Sequence, residues 1–315
     1  MTTNTNFASP IEIRRATPDD YEAVADFTSD IWPDRGGDYI PRVYHDWLED
    51  GPGQGKKTFL AEVDGEAAGI VQAVMLSPDE AWFQGMRVAA EYRRQGVSRR
   101  LNEASFEWAR EQGATVGRVM VFSWNAVSLG AARTSGFEPS TEFRFANPDP
   151  DHDAELPTEY AVSTDPASAW RYWTHSDARS HLCGLGLAPE ETWAMRELTR
   201  ADFERAADET AVFALERSDG LVGTAARIRT VERTVDDVVG DGQTETRAEY
   251  AVSAWDDLEA ARALFAAIAR DAAEIGADGT RVLLPETARF VTDAAATGAE
   301  LADEPDVVLS IDLVS

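Results

Sequence analysis

Val88-Ala89-Ala90-Glu91-Tyr92-Arg93-Arg94-Gln95-Gly96-Val97-Ser98-Arg99-Arg100-Leu101 is the stretch on which the reading of this chain turns. The residues from about 81 to 89 form a strand pattern. Those after Gly96 recur at helical spacing to about Glu111, with Leu101, Ala104, Trp108 and Ala109 as inner positions. A strand ends, a basic turn follows, and a glycine opens a helix. A helix N-terminus presents unpaired N–H groups and a partial positive charge of about half a unit. Glycine lets a phosphate approach the backbone, and Ser98 adds little bulk. Arg93, Arg94, Arg99 and Arg100 crowd the same place: four arginines within eight residues, in a chain whose formal net charge is −28. A bound pyrophosphate accounts for the cluster. A solvated helix face is the plainer alternative.

Working outward, the first half is an α/β unit. Ile11 and Ile13 mark a short strand, and Thr17-Pro18-Asp19-Asp20 combines a capping residue, an early proline and acids, as a helix start requires. That helix runs through Tyr21, Val24, Ala25 and Phe27. Residues 31–55 are rich in Gly, Pro and aromatics, with a short helix expected over Val43–Leu48. Strands are expected at 57–63 and 68–77 around the turn Asp64-Gly65. Downstream come a strand over Arg118–Trp124, a small-residue helix over Asn125–Thr134 closed by Ser135-Gly136, and a strand from Phe137 to Asn147. Asn147-Pro148-Asp149-Pro150-Asp151 continues neither helix nor sheet and is read as the boundary. The division is then 1–150, a linking helical segment 151–190 containing Trp170–Trp173, and a second α/β domain 191–315. In that domain the order of strand, Thr199-initiated helix, hairpin at Asp219-Gly220, strand, long helix from Asp256, strand, helix and strand repeats the first.

Composition removes several classes. With 315 residues and 43% hydrophobic content, the chain can bury a core in each of two domains. Twenty-nine basic against 57 acidic side chains argue against a nucleic-acid surface or an anionic membrane as partner. Lys56 and Lys57 are the only lysines, and this acid-rich, lysine-poor style resembles that of proteins solvated by molar salt, an ordinary acidic protein being the alternative. No apolar run reaches the ~18 residues of a membrane span, and MTTNTNFASP carries no secretory pattern, so a cytoplasmic setting is expected. Cys183 is the single cysteine, which excludes an internal disulfide, and it is expected to be buried and inert. No metal is expected, since His45, His152, His175 and His181 lack ligand spacing.

The basic turn resembles the acetyl-CoA motif of the GNAT acetyltransferase superfamily, Gln/Arg-x-x-Gly-x-Gly/Ala. Arg93-x-x-Gly96-x-Ser98 matches it with serine at the last small position. A second signature, Asn-x6-Tyr-x3-Gly-Phe, is met by Asn125 and Gly136-Phe137. The resemblance covers residues 11–147 and implies a mixed sheet flanked by helices, in two tandem GNAT-like domains. It implies that main-chain groups of Gln95, Gly96, Val97, Ser98 and Arg99, with Arg93, Arg94 and Asn125, bind acetyl-CoA. It implies that Arg87 and Val88 hold the pantetheine arm between splayed strands, and that the Val88 amide stabilises the oxyanion. A primary amine of a small molecule, such as a free amino acid, is the implied acceptor. Acetylation of a protein N-terminus is the enzyme alternative, and an acyl-CoA-binding regulator without turnover is the other class.

Two departures stand out. Gln84 occupies the neighbourhood in which the family carries a basic glutamate, and Ala132 falls where its acid tyrosine stands. Glu62, Ser123 and Tyr92 are substitutes to inspect. Trp32, Tyr39, Tyr44 and Trp47 are either a substrate wall or packing. In the second half the corresponding turn, Ser253-Ala254-Trp255-Asp256-Asp257-Leu258-Glu259, has no glycine and three acids, which repel a pyrophosphate. A degenerate copy that lacks acetyl-CoA is expected there. The oligomeric state stays open, with a homodimer among the options.

Overall fold

The structure, a computed structural model, describes residues 10–29, 31–32, 37–51, 53–235 and 243–314. Two compact units emerge, and they do not follow the linear order of the chain. The first holds residues 1–119, 130–138 and 310–315; the second holds 120–129 and 139–309.

In the first unit, β1 (Ile11–Arg15), β2 (Lys56–Val63), β3 (Glu66–Met75) and β4 (Glu80–Val88) pair antiparallel in that order. Helix α1 (Tyr21–Thr28) follows a single 3-10 turn. That turn is opened by a capping box in which the Thr17 side chain and the Asp20 carboxylate satisfy each other's backbone N–H groups. Helix α2 (Ile40–Trp47) starts three residues before the expected Val43, because the Asp38 carboxylate takes the Ile40 N–H at 3.0 Å and sets the first turn there. The core under these helices is Val24, Ile40, Tyr44, Trp47, Leu60 and Ile70. Helix α3 (Val97–Glu111) buries Val97, Leu101, Ser105, Phe106 and Ala109. Trp108 is only half-buried, and Phe106 takes the inner place by packing edge-on against Phe83 (4.9 Å) and Phe137 (5.6 Å). This helix carries the chain to β5 (Val116–Phe122), which pairs parallel with β4 through Glu80↔Val116 to Trp82↔Arg118. Helix α4 (Ala126–Thr134) and β6 (Glu138–Asn147) follow.

The far C-terminal residues also belong to this first unit. Leu313 donates its N–H to the Thr115 carbonyl (2.9 Å) and accepts Arg110 Nε (2.8 Å), and it is 2% exposed. A side chain at Gly117 or Gly136 would press on Ile311, at 3.1 and 3.3 Å.

The second unit adds β7 (Ala161–Ser163), α5 (Pro166–His175), α6 (Asp177–His181), β8 (Leu185–Leu187) and β9 (Met195–Glu197). It continues with α7 (Arg200–Glu209), β10 (Ala211–Arg217), β11 (Gly220–Val235) and β12 (Gln243–Trp255). It ends with α8 (Leu258–Glu274), β13 (Gly279–Pro285), α9 (Ala288–Ala296), β14 (Glu300–Leu301) and β15 (Asp306–Asp312), whose last residues lie in the first unit. Its strand order is β6-β13-β12-β11-β10-β7, antiparallel except for β12 with β13. Three consecutive antiparallel strands (β2–β4 and β10–β12), then a helix, then a strand parallel to the last of them is the plan of both units. One local motif recurs in register as well. Arg14, Thr17 and Asp20 form a pair plus capping box in the first unit, and Arg196, Thr199 and Asp202 form the same in the second.

Trp173, Trp255, Tyr250, Phe203 and Phe290 anchor the second core, and α8 is lined by small residues, with six buried alanines among them. Trp170–Trp173, expected to be helical, lie in α5, with Trp170 edge-on to Phe203 at 5.5 Å. Cys183 is exposed rather than buried: it sits at a left-handed turn position (φ +54°) after α6, which turns its thiol outward. Among the described residues no helix is long and apolar enough to cross a membrane, and no group of His, Cys, Asp and Glu has metal-ligand geometry.

Asp306, at the start of β15, is 7% exposed. Burial pushes its carboxyl up to about 7; Arg281 and Arg144 draw it down and Glu304 adds to the rise. An unfolded aspartate titrates near 3.9. Between about pH 4 and 7 the folded protein therefore holds a proton that the unfolded chain has released, and stability falls as pH rises through that window. Asp306→Asn is expected to flatten this slope, measured as Tm against pH. Removing residues 306–315 is expected to abolish cooperative unfolding of the first unit, read by calorimetry beside the full chain.

Candidate functional site

The expected site residues on β4 and at the head of α3 lie together in the first unit. The geometry begins with an irregularity in β4. Ile70 pairs with Arg87, but Gln72 pairs with Gln84, so β4 carries one residue more than β3 between these pairs. The extra residue falls at Gly85, whose φ is +64°. A Cβ there would lie 2.1 Å from the Trp47 indole, so the ring occupies the space that glycine leaves. Because of the bulge, Gln84 and Arg87 share a face although they are three apart.

Beyond Trp82↔Arg118 the described pairing of β4 with β5 ends. Ala89 N–H donates to Ala68 O on β3 (3.0 Å), so the adjacent Val88 peptide groups point to the opposite edge. The Val88 carbonyl receives Arg93 Nε at 3.3 Å. An extended ligand would find main-chain partners along this edge.

The turn after β4 supplies the anion-binding geometry. Arg94 (φ +61°) and Gly96 (φ +92°) are both left-handed, and Gly96 is the N-cap of α3 with no side-chain cap. Arg100 N–H closes the first helical turn on Gly96 O (3.1 Å), which leaves the N–H groups of Val97, Ser98 and Arg99 without helical acceptors. At Gly96 a Cβ would meet nothing nearer than Ile11 Cδ1 at 3.9 Å, so the approach is open and the demand for glycine comes from φ. Gln95 Nε2 bonds the Glu91 carbonyl (2.6 Å) and braces the turn. The side chains of Arg93, Arg94, Arg99 and Arg100 are exposed. Arg99 and Arg100 both reach Glu103, at 2.8 and 3.1 Å, so an incoming phosphate would compete with that carboxylate for them. Asn125, in the second unit, caps α4 by accepting the Ser128 N–H at 3.1 Å.

The Gln84 face is walled by residues that the sequence singled out only in part. Tyr44 and Trp47 are core, 0% and 6% exposed. Trp32 and Tyr39 instead flank the Arg87 guanidinium, 4.3 and 5.6 Å from their ring centres. Arg87 Nε lies 2.5 Å from Asp38 Oδ2, and that carboxylate is almost wholly buried. Asp38 carried no sequence signal. Gln72 did carry one: a lone amide inside the apolar run Ala67–Met75 must have a buried partner. Of the substitutes inspected, Glu62 is engaged by Arg14 (2.8 Å) and Tyr92 donates to Glu66 (2.9 Å).

The second unit differs at the equivalent helix. The N-cap of α8 is Asp257, whose carboxylate takes the Ala260 N–H at 2.8 Å and pairs with Arg217 at 3.0 Å. The backbone bond to Ala260 holds its carboxyl below the ordinary range, with Arg217 adding to the effect. Tyr172 donates to the neighbouring Asp256 at 2.6 Å. The head of α3 has no side-chain cap, whereas the head of α8 is capped by a carboxylate of the chain itself.

The family model described as Acetyltransferase (GNAT) family matches residues 21–137. Over this segment the chain is similar to the GNAT family, which uses acyl-CoA. The fold extends the likeness to nearly the whole chain. A GCN5-related N-acetyltransferase from Sphaerobacter thermophilus is similar over 96% of this chain and 96% of its own, with 14% identity and a TM-score of 0.58. A tandem GNAT protein from the clavulanic acid biosynthesis pathway is similar over 97% of this chain and 99% of its own, with 14% identity and a TM-score of 0.54. A glucosamine N-acetyltransferase region in a fungal multi-domain β-N-acetylglucosaminidase is similar over 97% of this chain and 38% of that one, with 14% identity and a TM-score of 0.60. At these identities the likeness is one of fold, a tandem GNAT arrangement. No curated protein sequence matches.

Gly96→Val forces a β-branched residue into the left-handed region and fills the approach to the N–H groups. It is expected to weaken CoA binding at least tenfold in calorimetry. The far-UV circular dichroism of the folded protein should stay unchanged.

Proposed function

We propose that this chain moves the acetyl group of acetyl-CoA to the primary amine of a small molecule, by direct attack on the thioester. The observation that carries the reading is the uncapped, glycine-led head of α3 beside a β4 edge that β5 leaves after Trp82↔Arg118. The N–H groups of Val97, Ser98 and Arg99 would bind the pyrophosphate, with Arg93 and Arg94 screening its charge. Main-chain groups of Val88 would hold the pantetheine arm as an added strand. Val88 N–H would donate to the thioester carbonyl oxygen as negative charge develops on it. Acetyl-CoA supplies the activated acyl group and a thiolate leaving group.

Proton handling is left to the substrate and solvent. Gln84 is an amide and Ala132 a methyl group, so neither the base nor the acid of the wider family stands at those positions. Positioning of a neutral amine at the carbonyl carbon supplies the rate. The same two residues favour one second reading, an acyl-CoA-binding regulator without turnover.

Calorimetric titration with acetyl-CoA in molar KCl is expected to give one site per chain, since Asp257 fills the head of α8. Thiol release during incubation with a panel of primary amines should follow. Two sites per chain would refute the silent second unit, and binding without thiol release from any amine would favour the regulator.

A further inference from the structure

The head of α3 is charged against its own dipole. A helix start favours carboxylates and disfavours cations. Yet α3 opens Val97-Ser98-Arg99-Arg100 and has no acid in its first turn, although the chain holds 57 acidic residues. Its counterpart α8 carries Glu259 in the first turn and Asp257 at the cap. Helix stability does not account for Arg99 and Arg100 in this place.

One carboxylate answers both arginines. Glu103 Oε1 accepts Arg99 Nε at 2.8 Å, and its Oε2 accepts Arg100 Nη1 at 3.1 Å. A helical side chain leans toward the N-terminus, so Glu103 reaches back toward the first turn. The bond from Arg99, with that from Arg100 adding to it, holds the Glu103 carboxyl below the usual carboxylate range. Arginine before glutamate is also the weaker order for a helical ion pair. The Arg99 residue contributes one of the N–H groups that lack a helical acceptor, so the ion pairs and the open N–H groups share one stretch of backbone. The side chains of Arg99, Arg100 and Glu103 are 81%, 54% and 43% exposed. Pairs this exposed are weak and are screened by salt. A phosphate, with more charge and more acceptor oxygens than a carboxylate, can displace Glu103 from them.

We propose that Glu103 is an internal competitor for the phosphates of the cofactor: it holds Arg99 and Arg100 in the free protein, yields them to a bound phosphate, and so lowers both the affinity for the cofactor and the dependence of that affinity on salt. The inference rests on the acetyl-CoA reading above and deepens it. Salt weakens the attraction between arginine and phosphate. It weakens the attraction between arginine and Glu103 as well, so the two losses partly cancel. Affinity then survives a wider range of salt than bare arginines would allow. Glu103 acts through the arginines and is a positioning residue.

The test titrates acetyl-CoA into the full chain by calorimetry, from about 0.2 M to about 2 M KCl. Glu103→Gln is expected to raise the affinity about threefold at the low end, the size expected for two exposed ion pairs, and to match the wild type at the high end. Glu107→Gln removes the same charge one turn further along α3 and is expected to stay near the wild type. In a chain that carries Arg99→Gln and Arg100→Gln, adding Glu103→Gln is expected to bring no gain. An affinity unchanged by Glu103→Gln at low salt, an equal gain from Glu107→Gln, or a gain that persists without the two arginines overturns the proposal. A wild type that does not bind acetyl-CoA overturns the acetyl-CoA reading itself. The same series with inorganic pyrophosphate then judges Glu103: a threefold gain supports its role, and no gain or no binding overturns it.

Discussion

One contact governs the geometry of the first unit: the Trp47 indole lying where a side chain at Gly85 would be. The left-handed glycine permits an extra residue in β4, and the indole from α2 fills the space it vacates. That bulge shifts the pairing with β3 and sets Gln84 and Arg87 on one face. It precedes the edge along which Val88 turns its peptide groups away from β3. A regular strand through Gly85 would place Gln84 and Arg87 on opposite faces. Hydrogen bonds from the Trp47 carbonyl through Thr58 and Gln72 to Gln84 tie the same element to the same face.

The two units show how one plan diverges at a single kind of position. Both open a helix with a threonine–aspartate capping box, braced by an arginine six residues before the aspartate. In the first unit Arg14 holds the Asp20 carboxyl below its usual range. In the second, burial works against ionisation of Asp202, and the bonds from Arg196 and Thr199 outweigh it. Such pairs organise the chain locally and are indifferent to function. The heads of α3 and α8 are where the units part. Gly96 provides a left-handed cap without a side chain, and the first N–H groups of α3 have no side-chain acceptor at that cap. Asp257 provides the anion itself. A helix dipole is satisfied either way, so both helix heads are compatible with the same fold.

The turn between β4 and α3 was legible because it depends on neighbours in the chain: a strand end, a glycine and the first turn of a helix are contiguous. The hairpin at Asp64-Gly65, the Thr17 and Thr199 helix starts and the long α8 were legible for the same reason. Element ends drifted where a distant group sets them. Helix α2 begins early because the Asp38 carboxylate accepts the Ile40 N–H, and β5 stops at Phe122 rather than Trp124. Cys183 turned outward because a left-handed turn after α6 outweighs the ordinary preference of cysteine for the interior.

The sequence by itself determined the class of fold, the glycine-led turn before α3 and the missing glycine of the second unit, since each rests on local spacing and backbone propensity. Tertiary structure alone decided that Arg87 is neutralised by Asp38, forty-nine residues away, and that Gln84 is linked to the Trp47 carbonyl through Gln72. It alone decided that residues 310–314 complete the first unit rather than the second. Hydrogen-bond direction and strand membership depend on which distant groups are brought into contact, and no periodicity along the chain encodes that.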